Sequence, residues 1–138
     1  MMRKLDERGS AALEFCLVAV VFFTFVFAIF DLGRYTITMQ SLRTLSDAGA
    51  RKMMIDDCYV MAAVSKSSPT CSGDYLSTAE KQDAAPFLFL GGLSPTLNVS
   101  ATTTSPYVVT ASQPNFPVMM PIWGTALNQP SASTKVPF

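Results

Sequence analysis

FCLVAVVFFTFVFAIF, residues 15 to 30, holds no charge and one polar side chain, Thr24. A helix on the surface of a soluble domain keeps a polar face, and this run has none. At 1.5 Å per residue it covers roughly 24 Å, short of a hydrocarbon core of roughly 30 Å, so a membrane span must reach back to Ser10 and forward to about Leu32. That extension takes in Glu14 and Asp31, which fall near the two ends, where a carboxylate can approach headgroups and water. The run is too long for a buried strand. A buried core helix would need a larger surrounding domain than the remaining polar-leaning residues supply.

Outside the run, composition narrows the choices. A chain of 138 residues is one domain's worth, and 49% hydrophobic against 14% charged residues is too apolar for a disordered tail. Ten basic residues balance ten acidic ones, so no overall positive field recommends nucleic acid. Histidine is absent, which removes the commonest proton-transfer residue and metal ligand. Three cysteines, at 16, 58 and 71, do not complete a four-ligand structural zinc site. No G-x-S-x-G elbow, Walker A loop or H-E-x-x-H motif occurs, and Asp56 with Asp57 reads as a solvated helix-end pair. The expectation is therefore no enzyme, no metal and no cofactor.

Arg3, Lys4 and Arg8 crowd the side before the run, while Arg34 and Arg43 are more thinly spread after it, so the basic density favours a cytoplasmic amino terminus. A cleaved secretory signal would have an apolar core of about 7 to 15 residues and an A-x-A-like site. Here the run is longer, and Asp31, Leu32, Gly33 and Arg34 follow it.

Just before the run the chain reads RGSAALEF, residues 8 to 15, with Gly9 closing a charged head and Glu14 five residues beyond it, followed by Phe15. This junction resembles the processing site of type IV prepilins, which implies a cut between Gly9 and Ser10 by a membrane-embedded prepilin peptidase. The Glu14-Phe15 pair is closest to the Flp and tight-adherence branch. RGSAALEFCLVAVVFF together with DLGRYTITMQSLRTLSDAGAR, roughly residues 8 to 52, looks like the TadE-like minor pseudopilins. Type II secretion pseudopilins usually begin their mature chain with Phe or Met, where this chain would present Ser10. In physical terms, Gly9, Ser10, Ala11 and Ala12 are slim enough to enter a narrow peptidase cleft extended. Glu14 costs a few kcal/mol near the membrane unless paired, either with the new Ser10 amino group, in the same chain or a neighbour, or by reaching the headgroups beside Arg8.

Past the run, Leu32, Tyr35, Met39, Leu42, Leu45 and Met53 keep helical spacing to about Met54. Asp31 and Arg34 can pair at three-residue spacing, and Gly33 allows a bend at the membrane exit. The apolar stripe needs cover, from the chain's own head or from a partner. Cys58 and Cys71 flank a turn-rich stretch, Lys66 to Thr70, and in an oxidising compartment a bridge between them would contribute roughly 3 kcal/mol. Cys16, inside the run, acts as a small hydrophobe.

Ser77 with Glu80 is a capping-box pattern for a short helix from about Thr78 that Pro86 ends or kinks. Leu97, Val99 and Ala101 alternate with polar residues as in a half-buried strand, a second strand spans Tyr107 to Ser112 across Thr104, Ser105 and Pro106, and a third runs from about Ser131 to Val136. Between the last two, PNFPVMMPIWG, residues 114 to 124, reads as a loop folded back over the sheet or as an apolar patch for a neighbouring subunit.

The expected fold is α+β: leader 1–9, transmembrane helix 10–32, helical stem 33–56, and an extracytoplasmic head 57–138 with a short helix and a three-stranded antiparallel sheet. The resemblance implies a structural role in a Tad/Flp pilus used for adhesion and biofilm formation. It also implies as partners the prepilin peptidase, the major Flp-type pilin, other minor pseudopilins and the inner-membrane assembly platform. The alternative is an unprocessed, single-pass anchored binding module facing away from the cytoplasm.

Overall fold

The computed structural model describes residues 7–71, 73–100 and 105–138, and of residues 7–10 the backbone alone. Arg3, Lys4, Ala101 and Thr104 lie outside the described residues. One helix, α1 (Glu7–Met54), runs without interruption from the junction through the apolar run and the stem. Gly33 sits inside it with open space around its α-carbon, and the helix continues past it. Then come α2 (Asp57–Ser65), α3 (Thr78–Ala84), α4 (Pro86–Leu90) and the strands β1 (Thr96–Ser100), β2 (Tyr107–Ser112) and β3 (Ser131–Val136). The fold is α+β, with three short helices in the head where the sequence suggested one.

The sheet is antiparallel in the order β1-β2-β3, with Val99 opposite Val109 and Val109 opposite Thr134. Leu97, Val99, Tyr107, Val109 and Ala111 point to one face and are buried, as period-2 alternation requires. That face packs on the upper half of α1, where Leu42, Leu45, Ala50 and Met53 are almost fully covered. The chain's own head therefore shields most of the stem stripe, although Leu32 stays 43% exposed.

Two close approaches fix the head on the helix. At Gly49 an added β-carbon would sit 2.9 Å from Leu97 Cδ2 and 3.2 Å from the Tyr75 hydroxyl, so the small residue lets β1 lie against the helix backbone. The Tyr75 hydroxyl donates to the Gly49 carbonyl at 2.7 Å, and burial pushes its phenol pKa up, with Tyr59 and Asp74 nearby adding to the effect. On the other side Ser46 Oγ lies 3.0 Å from Thr134 Oγ1, which donates to Asp47 Oδ1 at 2.6 Å.

Asp56 caps α2 by accepting the Cys58 N–H at 3.0 Å, and Lys66 ends that helix in the left-handed region at φ 51°. Cys58 and Cys71 are joined, with their Cα atoms 6.2 Å apart, tying α2 to the segment that follows. Replacing both cysteines with serine frees a loop of sequence separation 13 in the unfolded chain, and the expected loss is about 3 kcal/mol. Urea unfolding of the full chain in detergent micelles, followed by its single tryptophan, reads this as a lower midpoint; an unchanged midpoint would show that the bridge adds nothing.

The capping box forms as the sequence suggested. Ser77 Oγ accepts the Glu80 N–H at 3.3 Å, and Glu80 Oε2 accepts the Ser77 N–H at 2.9 Å. Pro86 both ends α3 and starts α4, where its missing N–H costs nothing. Glu80 also accepts from Lys52 Nζ at 2.9 Å, pinning α3 to the end of α1. The Lys52 bond first, and the Ser77 backbone and hydroxyl next, pull the Glu80 carboxyl from its usual 4.5 down to about 2. Because the folded value is the lower one, this contribution is complete above about pH 4.5 and is lost as pH falls toward 2. The urea midpoints of wild type and Glu80→Gln should accordingly differ at neutral pH and converge near pH 2. A gap that does not shrink as pH falls from 4.5 to 2 would exclude this carboxylate as its origin.

Candidate functional site

The residues of the junction lie along the start of α1. Gly9 and Ser10 are in its first turn, Glu14 closes the second and Phe15 follows it, both exposed, Phe15 at 73%. Glu14 is one turn beyond Ser10, the i, i+4 spacing at which helix neighbours meet. From Ala11 to Phe30 the helix is apolar apart from Glu14 and Thr24 and no residue is buried, with Leu13, Val20, Phe25 and Ile29 each more than 60% open. Those twenty residues cover about 30 Å, one hydrocarbon thickness. Thr24, the polar side chain in the run, donates its hydroxyl to the Val20 carbonyl at 2.7 Å and so carries no free donor into lipid. The helix fits a single-pass membrane anchor. The disulfide lies in the head, beyond the far end of α1, so the candidate residues at 9–15 and at 58 and 71 form two separate regions.

Asp31 occupies the other end of the run and is 1% exposed. Its suggested partner, Arg34, forms no ion pair with it among the described residues. Instead, the Asp31 carboxylate accepts the backbone N–H groups of Met119 and Met120, each at 2.9 Å, and the Trp123 indole N–H at 3.3 Å. Arg34 turns to the Phe116 ring, 5.6 Å from its centroid, and Tyr35 meets the same ring edge-on at 6.1 Å. The loop between β2 and β3 thus folds over α1 just past the end of the apolar run, which corrects the reading that it covers the sheet. Its neck is closed by the Gln113 N–H donating to the Pro130 carbonyl at 3.0 Å and the Phe116 N–H donating to the Asn128 carbonyl at 2.8 Å.

The physical reason lies in the loop's prolines. Pro117 and Pro121 deny it a regular ladder, so the amides between them need an outside acceptor, and the nearest strong one is a carboxylate on the helix. A lone acid at the end of an apolar run was the available signal. Its i, i+3 arginine offered a nearer partner and concealed it.

No enzyme-like constellation is assembled among the described residues. Asp56, Cys58 and Cys71 place potential ligand atoms within 4.8 Å of one another, but both sulfurs belong to the disulfide and the carboxylate is taken up as a helix cap. What the chain offers is an exposed apolar rod with one acid near its start, carrying a small head whose loop grips the rod where the apolar run ends.

Residues 9–51 match the family model described as TadE-like protein, a family of Tad pilus-associated, structural proteins. The match runs from the junction glycine through the stem and stops before the disulfide. No curated protein and no solved structure matches the chain.

Proposed function

Because the chain is TadE-like across residues 9–51, we propose that it is a minor pseudopilin, a structural subunit that helps to assemble a Tad/Flp-type pilus for surface adhesion and biofilm formation. In this reading its amino terminus is cytoplasmic, a prepilin peptidase removes residues 1–9, and the head lies on the far side of the inner membrane. The observation that carries the proposal is the coincidence, inside the matched segment, of the Gly9-Ser10 junction, Glu14 and Phe15, and an apolar helix with every face open. A free-standing anchor needs only the apolar length. A subunit that leaves the bilayer for a fibre needs the same surface to pack on neighbouring helices, and an acid to set axial position.

Glu14 supplies that acid. In lipid an unpaired carboxylate costs a few kcal/mol, and the amino group created at Ser10 is a partner within one helical turn, in the same chain or in an adjacent subunit. The major Flp-type pilin, other minor pseudopilins and the inner-membrane assembly platform are the partners this reading calls for. Glu14→Ala should still insert in the membrane but drop at least about tenfold in the sheared-fibre fraction, since a lost buried pairing of a few kcal/mol exceeds the 1.4 kcal/mol that a tenfold change requires. Full recovery of Glu14→Ala in fibres would remove the basis for the pseudopilin role and favour an unprocessed, membrane-anchored binding module.

A further inference from the structure

The loop that Asp31 holds has a side turned away from the protein, and that side is apolar. Met119 is 61% exposed and Ile122 60%, comparable to Phe30, the last residue of the apolar run, at 61%. Their axial level is set by the hydrogen bonds: Met119 and Met120 are bound to residue 31, the first position beyond a twenty-residue hydrocarbon span beginning at Ala11. Trp123, donating to the same carboxylate, is at that level too, the depth at which tryptophan concentrates in membrane proteins.

The loop is also chemically prepared for that depth. Between Asp83 and Lys135 the sequence has no charged residue, so the loop itself brings no charge toward the lipid, and the one charge on its flanking strands, Lys135, lies near the far end of β3. Pro117 and Pro121 have no N–H, and the Met119 and Met120 amides are already engaged by Asp31. Of residues 117 to 121, all but Val118 therefore enter a poorly hydrated zone without an unpaired backbone donor. Exposed apolar side chains continuous with a membrane-spanning surface, on a backbone whose donors are spent, fit a lipid surface.

We infer that the 116–124 loop is a second membrane contact, its Met119, Ile122 and Trp123 seated in the interface of the leaflet from which α1 emerges, so that the head rests on the bilayer. This rests on the single-pass reading of α1, and the test separates the two. The full chain is reconstituted at low protein-to-lipid ratio in vesicles of phosphatidylcholine and phosphatidylglycerol, with or without phosphatidylcholine spin-labelled either near the headgroup or near the chain end. The chain contains one tryptophan, Trp123, which reports on the loop; a fluorophore on Cys16, the one cysteine outside the disulfide, reports on the span in separate samples.

The expected result is an about two-fold loss of Trp123 emission with the shallow label and a smaller loss with the deep one, matching an interfacial depth. In the double variant Met119→Ser, Ile122→Ser that quenching should fall while the Cys16 signal is unchanged. A quenched Cys16 probe beside an unquenched Trp123 would overturn the inference and leave the span intact. Trp123 emission that ignores the spin labels but shifts to the blue with rising protein density would overturn it in favour of a protein neighbour. An unquenched Cys16 probe would remove both the span and the loop contact.

Discussion

Valine at position 9 should leave the chain at full length in cells where the wild-type protein loses its first nine residues, an all-or-none difference in intact mass. The expectation combines two requirements at one residue. Gly9 lies in the first turn of α1, and a peptide bond held in a helix is not presented to a protease, so the turn must open before a cut. Glycine makes that opening cheaper by about 1 kcal/mol relative to alanine, and a helix end has few intrahelical bonds to lose. The opened backbone must then enter a cleft, where the missing side chain matters. Valine separates the two requirements, because its β-branched side chain also disfavours helix but fills the cleft. Full cleavage of Gly9→Val would mean that unwinding is the whole requirement. A wild-type chain that stays uncut in cells containing the peptidase would contradict the proposed processing altogether.

Asp31→Ala should be the most damaging substitution at the contact between α1 and the head, at about 3 to 5 kcal/mol, because it strands two backbone amides and an indole N–H that share one buried carboxylate. Asp31→Asn keeps one acceptor oxygen and should lose about half as much. The loss has a local signature: hydrogen exchange at the Met119 and Met120 amides should accelerate, and Trp123 emission should move to the red as the indole is released. The urea midpoint of the full chain in micelles supplies the global value. Unaltered protection of both amides in Asp31→Ala would mean that the prolines and the Phe116 contacts hold the loop without the carboxylate.

Several elements could be read directly from residue order because their causes are local. The long helix follows from an uncharged run continued by apolar spacing, the strands from strict alternation at Leu97–Val99 and Tyr107–Ala111, and the start of α3 from the Ser77–Glu80 pair. Helix α2 was missed because only Ile55 and Asp56 separate it from α1, and a carboxylate that ends one helix looks the same in sequence as one that caps the next. The Asp31 clamp was missed for a different reason. Its donors lie 88 to 92 residues away and two of them are backbone amides, which leave no mark in side-chain identity, while Arg34 stood three residues from the acid. At the junction the reverse holds: the proposed roles of Gly9, Ser10, Glu14 and Phe15 rest on their types and order, and the fold adds chiefly that they share the opening turns of one helix.

That α1 continues unbroken from Glu7 to Met54 has a mechanical consequence. With Leu42, Leu45 and Met53 locked into the head, any roll of the rod within a bundle turns the head by the same angle, and any axial pull on it is delivered undamped. The compass bearing of the head is thus set by residue count: one residue inserted near Gly33 would swing it by about 100° and raise it by about 1.5 Å, whereas seven would bring it back to within about 20°.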